Sequence, residues 1–199
     1  STFGEQNSNW LYSFPGLLYP IPSLSDYAFG IGAAVSIPDK PTGVVRRSPL
    51  VIKANGQQYP SLALDTLRVY TGEPSYQMKV GLNGVEWIRI GSQDPVVTNS
   101  FAETPIAFWN QFEQISITDP LPAGKILIFG VTAEGYSNPV PTPKGAVYPH
   151  EVQGHLIQTL LGGHVIKIPD WSAIAELGLL VIVSLGILAA VYTLPTIPG

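Results

Sequence analysis

The longest apolar run in the chain lies near its C-terminal end. Leu177 to Leu194 reads LGLLVIVSLGILAAVYTL, eighteen residues without a charged side chain. Extended back to Ala173, the run is long enough to cross about 30 Å of hydrocarbon as an α-helix. Trp171 and Tyr192 bracket it, as aromatic residues do at membrane interfaces. The pattern predicts a single transmembrane anchor within residues 169–199.

Small residues recur within this apolar run. Gly186 and Ala190 are four positions apart, and Ser184 precedes them. Such spacing lets two helices approach closely in lipid, so we expect these residues to contact lipid or a neighbouring helix. No Lys or Arg follows Lys167, so the charge pattern does not orient the helix in the membrane.

Two helices are predicted before the anchor. In YPSLALDTLRVYTG, Ser61 is placed to cap a helix whose apolar residues include Leu64 and Leu67, and Gly72 ends it. A second helix is predicted from Glu151 to Leu161, and its core face is formed by Leu156, Ile157, Leu160 and Leu161. A shorter helix is predicted near Ser23 or Ser25, ending at Gly30.

The strand signals alternate with these helices. Asn55-Gly56 and Asn83-Gly84 are hairpin dipeptides between apolar runs. IGAAVSI, residues 31–37, is expected to be a buried strand, and Ile126 to Val131 a central parallel strand covered on both faces. The order predicts an α/β fold, a mixed sheet with packed helices, over residues 23–168.

An N-terminal arm, residues 1–22, precedes this domain. Residues 1–8 are mostly polar and predict a tail. Trp10, Tyr12 and Phe14 then alternate, so an extended chain would carry them on one face. Two interpretations stay open: these aromatic residues bind a partner, or the arm packs on its own domain.

Composition excludes several classes of function. The chain has 199 residues and no Cys, which rules out disulfides and thiolate chemistry. Its net charge is only −4 and it has no basic stripe, so nucleic acid is not an expected partner. Charged residues make up 12% of the chain, about half the share in ordinary soluble domains. The chain begins without Met or an apolar signal region, which predicts removal or omission of an upstream segment.

The stretch YPHEVQGHLIQTLLGG raises the question of a metalloprotease helix. Such a helix requires H-E-x-x-H, with both imidazoles on one face. Here His155 follows His150 by five residues, which separates the side chains by roughly 140° around a helix. We therefore expect no metal, no cofactor and no enzymatic activity, and interpret Glu103, Glu113 and Asp119 as loop or surface charges.

Arg46 and Arg47 point to opposite faces of a strand, so either one meets a carboxylate or both are solvated.

Several motifs in order resemble the second class of CHASE domain, the cyclases/histidine kinases associated sensory extracellular domain. PDKPTGVVRRSPLVIKA and PSLAL are followed by AGKILIFGVTAEG, a TPKG loop and a helix ending in TLLGG. The matching positions are Asp39, Gly43, Val44, Val45, Arg46, Arg47, Pro60, Ser61, Leu62, Ala63, Leu64, Gly130, Thr132, Ala133, Thr142, Pro143, Gly145, Glu151, Thr159, Leu160, Leu161 and Gly163. Gln153 stands where the family pattern has a histidine.

The resemblance implies a membrane-anchored, periplasmic sensor module of a signalling receptor. Ligand contacts are expected near Arg47, Thr132 and Glu151. Such domains normally carry an N-terminal half that this sequence lacks, so we expect that portion, or other membrane subunits in an oligomer or complex, to cover exposed surface. The alternative is a structural accessory subunit of a larger membrane complex.

Overall fold

The computed structural model describes residues 2–4, 8–108, 111–116, 118–133, 135–163 and 171–193. The chain divides into two compact units, Ser1–Val165 and Ile166–Gly199. We call the first unit the head. It is α/β with parallel and antiparallel strand pairs, as the sequence predicts, although its strands form several small sheets.

The largest sheet has four strands in the order β1-β6-β7-β8. β6 and β7 form the predicted hairpin, but its two turn residues are Leu82 and Asn83, because Gly84 already pairs with Gly81. β8 pairs antiparallel with β7. β1 pairs parallel to β6, so part of the predicted tail belongs to the sheet. The bounds are β1 Thr2–Gly4, β6 Tyr76–Gly81, β7 Gly84–Ile90 and β8 Val96–Val97.

The second sheet carries the other predicted hairpin. β4 (Val51–Ala54) and β5 (Gln57–Pro60) are antiparallel around Asn55-Gly56, where both φ angles are positive, 48° and 79°. Asn and Gly tolerate this left-handed conformation, which suits the twist of a two-residue hairpin. β2 (Ser13–Phe14) adds a parallel strand from the N-terminal arm.

Two further strand pairs lie among the described residues of the head. β3 (Arg47–Pro49) pairs antiparallel with β9 (Glu103–Pro105), and β10 (Val140–Thr142) with β11 (Gly145–Val147). The predicted strand VVRRSPLVIKA is therefore divided between two sheets at Leu50, whose N–H donates to Ala102.

The described part of the head contains three α-helices, α1 (Pro22–Ser25), α2 (Leu62–Tyr70) and α3 (Pro149–Leu161), and a 3-10 turn at Ser8–Trp10. α1 is a single turn, shorter than predicted. Ser61 Oγ caps α2 by accepting from the Leu64 N–H at 3.1 Å. α2 and α3 pack together, and their buried side chains join those of the strands in one core. The central members of this core are Val45, Leu50, Val51, Ala63, Leu64, Met78, Ile88, Ala102, Val152 and Leu156.

Two predicted strands are absent from the described structure. Residues 31–37 form only one bridge, Ala33 to Ser61, because Gly32 lies against the backbone of the α2 N-terminus. Ile126 to Val131 pairs with no described strand, and Phe129 in this segment is 66% exposed. Continuous apolar sequence does not make a strand without a partner for its backbone groups.

The C-terminal unit contains α4 (Ser172–Thr193). Its segment Ile174–Tyr192 is long and apolar enough to cross a membrane. Leu185, Ile187 and the other large apolar side chains of the helix are exposed.

Candidate ligand-binding cleft

A compact loop forms around the first family-like motif. The Asp39 carbonyl accepts from the N–H groups of Thr42 and Gly43, and Gly43 has φ +66°. Arg46 Nη1 then donates to Asp39 Oδ2 at 2.8 Å and to Thr42 Oγ1 at 2.7 Å. We call residues 37–46 the motif loop. Asp39, Gly43 and Arg46 thus act together to close one turn of chain.

Arg46 is the arginine that meets a carboxylate. Its partner Asp39 and its own side chain are both partly exposed, so the pair adds little to stability and mainly fixes the loop conformation. Arg47 lies in β3 opposite Pro105 and forms no side-chain hydrogen bond or ion pair with a described residue.

A cleft of about 480 Å³ opens beside the motif loop. The loop supplies one wall, Tyr12 of the arm another, and the residues around β9 the third. Its lining consists of Tyr12, Ile37, Pro38, Asp39, Lys40, Pro41, Thr42, Phe101 and Glu103. A volume of this size accepts a small molecule.

Glu103 is the buried charged group of the cleft, so its interpretation as a loop or surface charge was wrong. Its side chain belongs to β9, and the residue is 8% exposed. Asn99 Nδ2 donates to Glu103 Oε2 at 2.7 Å, and Asn99 Oδ1 accepts from the Glu103 N–H at 2.9 Å. Burial, a hydrogen bond to Glu103 and the negative charges of Glu103 and Asp39 raise the pKa of Tyr12 to about 12. Tyr12 therefore remains a phenol that donates to the carboxylate.

The turn that presents Phe101 and Glu103 is strained. Ala102 has φ +62°, a conformation that costs a non-glycine residue about 1 kcal/mol or more. Its carbonyl accepts from the Leu50 N–H, and Asn99 accepts from the N–H groups of Phe101 and Glu103. These bonds hold the turn in place.

The sequence-predicted ligand residues lie elsewhere. Thr132 and Glu151 are both near the N-terminus of α3, where the Tyr148 hydroxyl donates to the Thr132 carbonyl at 3.2 Å. Glu151 accepts from Gln114 Nε2 at 3.3 Å. No hydrogen bond or ion pair joins Arg47 to Thr132 or Glu151.

Aromatic stacking also organises this helix start. The His150 ring stacks on Tyr148 with 5.8 Å between centroids. His150 lies directly over Gly130, where any side chain would collide with the imidazole. Gly130 is thereby explained as a packing residue.

His155 lies inside the head, 2% exposed, between Phe108 and Phe112 at ring-centroid distances of 5.1 and 4.6 Å. Gln153 is also buried and donates from Nε2 to the Val35 carbonyl at 3.3 Å. The described residues contain no group of three His, Asp or Glu side chains able to hold a metal. Both histidines of α3 pack against aromatic rings, His150 on Tyr148 and His155 on Phe108 and Phe112.

We expect the head to lose stability in mild acid because of His155. Burial lowers the pKa of His155 below its ordinary 6.5, Lys144 lowers it further, and Glu151 opposes the shift. Below pH 6.5 the unfolded chain binds a proton that the folded head resists, so the free energy of unfolding falls until the folded pKa is reached. Thermal unfolding of the purified chain in detergent from pH 8 to pH 5 measures this. His155→Leu should make the unfolding temperature depend less on pH. An equal pH dependence in the native and substituted proteins would contradict the explanation.

The arm residues are partly buried. Leu11 between them belongs to the core, and Tyr12 contacts Phe101 with 5.7 Å between centroids. The Tyr12 carbonyl accepts from the Lys53 N–H, and Phe14 pairs with Ala54. This part of the arm packs on its own domain, whereas partner binding by Trp10, Tyr12 and Phe14 stays a prediction.

The anchor residues follow the expected helix. Ser184 Oγ donates to the Leu180 carbonyl at 2.7 Å, within the same helix. Gly186 has open space where a side chain would stand, and Trp171 and Tyr192 are exposed near the two ends of α4.

The described chain thus combines an α/β head that carries a cleft with an apolar helix long enough to cross a membrane. The family model of the CHASE2 domain matches residues 10–191, and the chain belongs to this family. CHASE2 domains are sensory extracellular domains of signalling receptors, so the chain is a sensory module in that general sense. No curated protein and no solved structure matches the chain.

Proposed function

We propose that this chain is the extracytoplasmic sensory module of a membrane-anchored receptor and that it acts by binding, without catalysis. The supporting observation is the extent of the family match, which runs from Trp10 in the arm through most of α4. Head and anchor are thus matched as parts of one family unit. The proposed location is periplasmic.

The cleft is the proposed site of stimulus binding. It is built from the motif loop, the arm and the strained turn at Ala102, three segments far apart in sequence. A ligand that contacts all three would favour the head conformation in which they lie together. Such differential affinity is what a sensor needs to shift a conformational equilibrium. The anchor would carry this shift to neighbouring helices.

The location is testable with a single introduced cysteine, because the chain contains none of its own. Ser92 lies exposed in the turn after β7, so Ser92→Cys is a conservative reporter of the head. We expect a membrane-impermeant maleimide to label it on intact cells once the outer envelope is made permeable. Gly199→Cys, beyond α4, is the matched control and should react only after the inner membrane is opened. The reverse pattern would place the head in the cytoplasm.

A second candidate function is that of an accessory subunit in a larger membrane complex. It is favoured by exposed apolar side chains, among them Phe29 at 90% and Phe129 at 66%, together with Leu18, Tyr27, Val131 and Tyr136. Another subunit, or an N-terminal portion of the same receptor, would cover them. Stoichiometric co-purification with a large assembly from native membranes would favour this function over the receptor.

A further inference from the structure

We propose that the cleft beside the motif loop binds a small organic cation, an alkylammonium ion, with Glu103 as its counter-charge. This inference rests on the proposed sensory function and names the chemistry of its stimulus. It is carried by the buried carboxylate, the aromatic walls and the local balance of charge.

The carboxylate of Glu103 is the first argument. The residue is almost wholly buried, and its described hydrogen-bond partners, Asn99 and Tyr12, are neutral. No ion pair joins Glu103 to a described residue. A buried charge without an opposite charge is costly, and a bound cation removes that cost.

The aromatic walls decide which kind of cation fits. Tyr12 and Phe101 line the cleft together with Glu103, and their rings contact each other with 5.7 Å between centroids and 36° between planes. Ring faces attract an organic cation, and the side chains of Ile37, Pro38 and Pro41 offer apolar contact to its alkyl groups. A hard metal ion would instead require several oxygen ligands. The described residues provide no group of three carboxylates or imidazoles for it.

The other charges of the cleft leave Glu103 as the dominant one. Asp39 is paired with Arg46, so these two largely cancel. Lys40 also lines the cleft, but its side chain is exposed to water, which screens its repulsion. An incoming cation therefore meets a net negative charge at the buried end.

The direct test compares choline with 3,3-dimethylbutan-1-ol, its uncharged counterpart of nearly the same shape. Isothermal titration of the purified full chain in detergent should show choline binding at least about tenfold tighter than the alcohol. Equal binding of the two, or no choline binding at millimolar concentration, overturns the proposal. Calcium chloride is the third probe, and calcium binding without choline binding would also overturn it.

Two substitutions in the cleft and one control outside it locate the site. Glu103→Gln keeps the shape of the side chain and an acceptor for Asn99, and should weaken choline binding at least about tenfold. Glu113→Gln removes an exposed carboxylate outside the cleft lining and should change nothing. Phe101→Leu, on a partly exposed residue, should weaken binding about threefold to thirtyfold. Normal choline binding in both cleft variants would overturn the assignment.

The outcomes of this test are separate from those of the location test. Labelling of Ser92→Cys from outside together with failure of choline binding would leave the sensory module standing and remove only the ligand class. Choline binding together with a cytoplasmic head would leave the ligand class standing and remove the extracytoplasmic sensory module.

Discussion

Replacing Leu156 with alanine is expected to lower the free energy of unfolding of the head by about 3 kcal/mol. Leu156 is completely buried and belongs to the common core, and its helix α3 packs against α2. The substitution removes several methyl and methylene groups and leaves a cavity that tightly packed neighbours fill only in part. Urea unfolding of the full chain in detergent, followed by tryptophan fluorescence, measures the loss.

Leu161→Ala is the matched control because it makes the same chemical change on the same helix. Leu161 ends α3 and is 49% exposed, although the sequence pattern had placed it on the core face. Its substitution should cost about 0.5 kcal/mol or less. Similar losses for the two variants would mean that α3 does not contribute to the core as described.

Local signals predicted much of this fold. The Ser61 cap, both predicted hairpins and the long apolar helix depend on side chains and backbone within a few residues of each other. A short stretch of sequence contains all the residues that make such interactions. They can therefore be predicted without knowing how distant parts of the chain pack.

The wrong strand predictions depended on distant partners. Ile126 to Val131 has the composition of a buried strand, but strand formation needs a neighbour to pair with its backbone. No described strand takes that place. In residues 31–37, Gly32 lets the chain approach the start of α2 closely, and that contact replaces strand pairing. Neither outcome is visible from periodicity.

The candidate cleft could not be predicted from the sequence either. Tyr12 and Glu103 are ninety-one positions apart, and no short motif links them. The motif containing Arg46 and Arg47 was visible, but alternation on a strand did not say which arginine meets a carboxylate. The turn-forming Thr42-Gly43 after Asp39 was the available signal, since a closed loop returns Asp39 toward Arg46.

Placing two arginines in α4 is expected to prevent its stable insertion in the membrane. Leu180→Arg/Leu185→Arg puts both charges in the apolar segment, where each costs about 3 kcal/mol on insertion scales. The segment holds mainly Leu, Ile and Val, each of which favours insertion by only a few tenths of a kcal/mol. Two arginines therefore offset roughly the whole favourable free energy of inserting the segment into the membrane.

Alkaline carbonate extraction of isolated membranes measures the result of these substitutions. The native chain and the control Leu180→Ile/Leu185→Ile should remain in the membrane pellet, because isoleucine preserves the apolar character of both positions. The double arginine variant should appear in the supernatant or be degraded. Release of the native chain as well would mean that α4 is not an anchor, and a sensory role would then require another means of membrane attachment.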